Sequence, residues 1–178
     1  EKLLDVNDMV AGSRMTPSYF RVGGFFQDVP DTFAPYVKKF IDEFPSALAE
    51  YQNLLTKNRI WMKRTIGVGT IMREQALALS VTGPSLRGSD CGYDVRKTQP
   101  YCGYETYDFD VPLGKNGDVY DRYRIRVDEM RESVKIIAQC LEGMPGGAWV
   151  ADDRKVVLPP RHELHTSMES LIHHFKIV

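Results

Sequence analysis

Residues 118–143, DVYDRYRIRVDEMRESVKIIAQCLEG, decide the fold class. Tyr120, Tyr123, Val127, Met130, Val134, Ile137 and Leu141 recur every three or four positions, which places them on one side of a helix. Asp118 stands where a side-chain oxygen caps a first turn, and Gly143 with Pro145 ends the run. The other faces carry Arg122, Arg126, Asp128, Glu129, Arg131, Glu132 and Lys135. Mixed signs at neighbouring turns predict a solvated, weakly paired surface, with a subunit interface as the sharper alternative.

Upstream, Phe33, Val37, Phe40, Ile41, Phe44, Leu48, Tyr51 and Leu55 predict a second long helix from Asp31 onward. Pro35 is tolerated in its first turn, whereas Pro45 removes an interior N–H and is expected to kink or split it near Phe44. Leu3, Val6 and Val10 already have helical spacing without a cap before them. Thr166-Ser167-Met168-Glu169 reads as a capping box with the Thr166 hydroxyl as cap, and Met168, Leu171, Ile172, Phe175 and Val178 keep one apolar face to the last residue. Both ends therefore read as interrupted helices, and the chain as an internal fragment. TIGVGTI at 65–71 and the run 104–111 predict short strands, Ala76–Leu79 a short helix, and 144–161 an ordered or semi-ordered connection. The sum is a single domain over 1–178, mainly α with minor short β-strands (α+β).

The 43% hydrophobic and 26% charged residues are those of a globular chain with a core. A net charge of −1 supplies no field for a phosphate backbone, so nucleic acid is not an expected partner. No run of about 18 apolar residues spans a bilayer, and the start lacks a signal-peptide layout, which leaves membrane contact through a larger complex. Cys91, Cys102 and Cys140 are odd in number and widely spaced, which fits a reducing compartment and no metal cage.

RMTPSYFRVGG at 14–24 admits three readings: a phosphate-cradling loop, the wall of a redox site, or a turn. Gly23-Gly24 and the GVG at 67–69 lack the lysine or third glycine of a phosphate loop, so they read as turn or close-packing glycines. His162, His165, His173 and His174 suggest a metal, yet adjacent His173 and His174 point about 100° apart on a helix, so capping, dipole or interface roles fit better. Asp108 and Asp110 would share one face of a strand, where like charges repel, and no histidine, serine or lysine accompanies them. The residues alone give no self-contained catalytic centre.

RMTPSYFRVGGFFQDVP (14–30), NLLTKNRIWMKRTIGVG (53–69), GPSLRGSDCGYDVRKTQPYCGYETYDFDVPLGKNGDVYDRY (83–123), RVDEMRESVKIIAQCLEGMPGG (126–147) and TSMESLIHHFK (166–176) together resemble the 49-kDa, or D-type, subunit family of proton-pumping NADH:quinone oxidoreductase, respiratory complex I. The resemblance covers essentially the whole chain. It implies a fold like the large subunit of nickel-iron hydrogenases with the nickel-iron ligands lost, and makes these residues the middle of the subunit. No cofactor is bound by this chain alone. Quinone accepts electrons in a cavity shared with the neighbouring iron-sulfur subunit, which carries the terminal [4Fe-4S] cluster; NADH is the substrate of the complex, and a 30-kDa-type subunit is a further partner. The implied location is peripheral to the cell inner membrane on its cytoplasmic side, or the matrix side in a mitochondrion.

In that family the arginine-aromatic stretch lies close to the cluster, which makes Arg14, Thr16 and Arg21 the candidate site residues. Many members have histidine where this chain has Thr16. Threonine cannot titrate, so the resemblance implies a cluster whose potential depends weakly on pH, suited to a low-potential quinone such as menaquinone. The family's headgroup-contacting histidine and tyrosine have no counterpart here. DVRKTQPY at 94–101 has no evident physical reason, and its Arg96 and Lys97 are candidates for contact with an adjacent subunit. Two rivals remain: a hydrogenase large subunit, which needs two C-x-x-C pairs, and a scaffold without redox role.

Overall fold

The computed structural model describes all 178 residues. They pack as two compact units, one of Glu1–Val37 with Met144–Val178, the other of Lys38–Gly143. Helices dominate, and the single sheet is a two-stranded hairpin, so the mainly α class with minor strands is observed.

The larger unit is organised by α7 (Val119–Glu142). Asp118 caps it as expected, its Oδ1 accepting the Asp121 N–H at 2.8 Å. The side of α7 that is most closed off is not the apolar stripe. Asp118, Asp121, Ile125, Glu129, Glu132, Ile136 and Gln139 fall within an arc of about 80° at 100° per residue, roughly opposite that stripe. Asp118, Asp121, Ile125 and Ile136 are buried. A carboxylate can face inward only if donors meet it, and here they do. Asp118 Oδ2 accepts the Gly67 N–H at 2.8 Å, and Asp121 Oδ2 accepts Lys115 and Asn116 N–H at 2.9 and 2.7 Å. Glu129 and Glu132 are therefore not part of a solvated face, and this corrects the expectation from charge pattern alone.

That polar stripe also explains both missing strands. Thr65 ends α3 (Arg59–Thr65), and Gly67 and Gly69 take φ of 70° and 59°, which no pleated strand contains. The segment instead closes the start of α7: the Val119 N–H donates to the Val68 carbonyl at 3.1 Å, and Arg122 Nη2 donates to the Gly69 carbonyl at 2.8 Å. Residues 104–106 form a 3-10 turn, after which the backbone runs along α7 and pairs with its side chains. Asp108 N–H and carbonyl meet Gln139 at 2.8 and 2.7 Å, and the Asp110 N–H donates to Glu132 at 2.9 Å. Alternation was the right period, but the partner is a helix.

DVRKTQPY acquires a physical reason here. Asp94 is buried, caps α6 (Val95–Thr98) through the Arg96 N–H, and accepts Arg96 Nε and Nη2 at 3.0 and 2.7 Å. Arg87, at the end of α5 (Gly83–Arg87), lies 3.8 Å from Asp94 and donates its Nε to Glu129 at 2.6 Å. Two arginines and two carboxylates thus neutralise one another in the interior. Arg96 and Lys97 sit over the buried Phe109 ring, 4.9 and 4.2 Å from its centroid. Beside this network, Ala76 of α4 (Arg73–Ala78), Leu86 and Cys91 form a small apolar core with Ile71 and Val81 against it.

α2 (Phe33–Leu55) is continuous through Pro45, so the expected split does not occur. Burial of Phe40 and Leu48 on either side, with Phe40 and Phe44 in ring contact, holds the helix across the lost N–H. The smaller unit contains α1 (Lys2–Ala11), the hairpin of β1 (Phe20–Arg21) and β2 (Gly24–Phe25), and α8 (Met168–Ile177). α8 is capped by Ser167, whose Oγ accepts the Ser170 N–H at 3.3 Å. Thr166, expected as the cap, lies one position too early and turns toward the Glu163 carbonyl. No capping box forms.

Candidate functional site

The stretch 14–24 is a hairpin. Phe20 pairs with Phe25 and Arg21 with Gly24, so Val22-Gly23 is a two-residue turn whose positive φ of 86° falls on the glycine. Gly24 serves a different need. A Cβ there would stand 2.4 Å from the Trp149 carbonyl oxygen, because the segment 149–151 lies against the hairpin through a single antiparallel bridge between Gly24 and Val150. The Phe25 N–H donates to the Trp149 carbonyl at 3.0 Å and the Ala151 N–H to the Gly23 carbonyl at 2.8 Å. Of the three readings of RMTPSYFRVGG, the glycines support turn and close packing.

Arg14 is half exposed and reaches back to α1, 3.2 Å from Asp5 and 3.9 Å from Glu1. Asp5 also accepts the Tyr36 hydroxyl at 3.1 Å, and partial burial, followed by that bond, pushes the Tyr36 phenol up. Thr16 is exposed, with its hydroxyl 3.3 Å from that of Ser13. Arg21 donates Nε to the Ser18 carbonyl at 3.2 Å and lays its guanidinium over Phe26, 5.2 Å from the centroid. Its two Nη groups have no partner in the chain. No hydrogen bond or ion pair joins Arg14, Thr16 and Arg21 to one another.

Aromatic contacts stiffen this surface. Tyr19 stacks on Phe25 at 5.0 Å and 11°, and Phe20 meets both edgewise. Burial, then the charge of Asp28, pushes the Tyr19 phenol up, and its hydroxyl is enclosed without a partner. Meanwhile Met15, Phe20 and Val22 are 78%, 80% and 83% exposed, and Phe26, the ring under the Arg21 guanidinium, is exposed as well. Behind the hairpin a cleft of about 600 Å³ opens, lined by Arg21, Phe26, Trp149, Val157 and Ile177 among others. Spacing gave no hint of the 149–157 segment, because its partner lies more than a hundred residues away.

The histidines converge on nothing. His173 lies 3.5 Å from Glu169, and no three His, Cys, Asp or Glu side chains gather as a metal cage. No helix is long and apolar enough to cross a membrane. The chain is 52% identical to the D 2 subunit of the NADH-quinone oxidoreductase of Chloroflexus aurantiacus over 99% of its own length and 44% of the relative's. It is 53% identical to the D 2 subunit of the same enzyme in Koribacter versatilis over its whole length and 44% of that protein, and 49% identical to the D subunit in Geotalea uraniireducens over 99% and 45%. It thus spans less than half the length of these curated relatives. Residues 1–178 match throughout the family model described as the respiratory-chain NADH dehydrogenase 49 Kd subunit, and the chain belongs to that family.

Proposed function

We propose that this chain is the central part of a core subunit of a quinone-reducing NADH dehydrogenase, and that its Arg14–Gly24 hairpin buttresses the terminal [4Fe-4S] cluster of the neighbouring iron-sulfur subunit. It does so as one domain, with no cofactor of its own. The observation that carries the reading is Arg21, whose guanidinium lies over exposed Phe26, between exposed Phe20 and Val22 in the chain, with both Nη groups unpaired. Such a surface asks for a protein partner, and a fixed cation within it stabilises the extra electron of a reduced cluster. The names carried by the relatives favour this reading over a hydrogenase large subunit. A 30-kDa-type subunit, a quinone cavity and a peripheral position on the cytoplasmic or matrix face of the membrane complete it.

Arginine stays charged at every working pH and Thr16 has no proton to exchange, so electron arrival is not coupled to proton uptake at this site. That suits a low-potential quinone such as menaquinone. The test is a redox titration of the assembled complex across pH. The unmodified cluster is expected to show a weak slope, and Thr16→His a slope approaching about 59 mV per pH unit, the value for one proton per electron. A full slope in the unmodified complex would overturn the proposal.

A further inference from the structure

We propose that Arg154 and Glu163 are positioning residues for the Arg21 hairpin, acting through the segment 149–157 that lies across it. The functional consequence rests on the reading above, but the mechanical claim does not. The segment is fixed to the hairpin by the two backbone hydrogen bonds at Trp149 and Ala151. It is fixed a second time by packing: a Cβ on Gly23 would stand 2.5 Å from Val157 Cγ2 and 3.1 Å from Val156 Cγ1. These valines are held in a tight turn, since the Asp153 carbonyl accepts Val156 and Val157 N–H at 3.0 and 2.8 Å and its side chain accepts the Lys155 N–H at 2.8 Å.

Arg154 lies in the same turn and is its link to α8. Its Nη2 donates to Glu163 Oε1 at 2.7 Å. The other oxygen, Oε2, accepts the hydroxyl of buried Ser170 on α8 at 3.1 Å. The Glu163 carbonyl accepts the Thr166 and Ser167 N–H at 3.1 and 2.8 Å, just before α8 begins. Glu163 is therefore seated on the helix start by its backbone and by its carboxylate. A continuous path runs from α8 through Glu163, Arg154 and the valine turn to Gly23, adjacent to the turn residue that follows Arg21. Breaking it leaves the hairpin sequence intact while freeing its seat.

The experiment uses the assembled complex carrying Arg154→Ala, Arg154→Lys, Glu163→Gln or, as a surface-charge control, Lys155→Ala. Hydrogen exchange is read over residues 20–26 and 149–157, together with the line shape and midpoint potential of the terminal cluster. Arg154→Ala and Glu163→Gln are expected to speed exchange in both segments by roughly threefold, the scale of one partly exposed ion pair, and to alter the cluster signal. Arg154→Lys should restore both and Lys155→Ala should change neither. Unchanged exchange over 20–26 in both Arg154→Ala and Glu163→Gln, or an equal effect from Lys155→Ala, overturns the proposal. Faster exchange in both segments with an unmoved cluster signal supports the mechanical role and overturns the placement of the hairpin beside the cluster. Should Arg154→Ala fail to assemble, Glu163→Gln by itself decides the question: unchanged exchange over 20–26 in that variant overturns the proposal.

Discussion

Arg87→Met is expected to destabilise the chain by about 3 kcal/mol, because it leaves a carboxylate inside the protein without its cation. Arg87 is 6% exposed and holds Glu129, the Tyr93 carbonyl and, at 3.8 Å, Asp94. Asp94 keeps its bidentate partner Arg96, so Glu129 bears most of the loss. The thermal midpoint should fall by roughly 6–12 °C for a chain of this size. Arg87→Met with Glu129→Leu should recover much of it, since an apolar pair of similar volume replaces a buried ion pair at little cost. Equal losses in the single and double variants would show that Arg87 acts by packing alone.

The same network sets an acid limit. Hydrogen bonds from Arg96, opposed by burial and helped by the charge of Arg87, hold the Asp94 carboxyl below its ordinary value of 3.8. Its folded value lies below its unfolded value, so its contribution to stability is present above pH 3.8 and fades as pH falls through the folded value. Removing Arg87 raises that folded value and brings acid unfolding to a higher pH.

Gly24→Ala should be at least as severe, about 3–5 kcal/mol, and local to the hairpin. At a φ of 149° the new methyl would meet the Trp149 oxygen at 2.4 Å and Val150 Cα at 2.8 Å. These are backbone atoms and cannot step aside. Strain of about 1–3 kcal/mol adds to the loss of two hydrogen bonds worth about 1 kcal/mol each. Gly67→Ala is the control: φ is +70° there but nothing lies within 4 Å, so only a backbone cost of about 1–2 kcal/mol applies. Denaturant unfolding of the two variants measures the difference, and equal costs would mean that the 149–151 segment does not lie on the hairpin.

The helices were legible because their signals are local. Asp118 and Gly143 bracket α7 within one turn of their predicted places, and the apolar spacing of α2 survives Pro45. What escaped sequence reading depends on distant partners. The acidic stripe of α7 looks solvated until Lys115, Asn116, Gly67 and Asp110 bring their N–H groups to it. The strand at 65–71 fails on Gly67 and Gly69, which take positive φ; the two glycines were the warning available in the sequence. Asp94 reads as an unexplained motif residue because Arg87, which also holds Glu129, reaches it from another segment. Arg14 and Arg21 were identifiable only by resemblance, since nothing in their spacing distinguishes a cation with unpaired Nη groups from one in an ordinary salt bridge.

The most direct test of the whole account is a spin label at Val22, 83% exposed at the tip of the hairpin, in an assembled complex from which exposed Cys102 and Cys140 have been removed. Reduction of the terminal cluster should speed the relaxation of the label, and the effect should appear at the midpoint potential of that cluster. Relaxation indifferent to the redox state of the cluster would place the hairpin elsewhere and contradict the account.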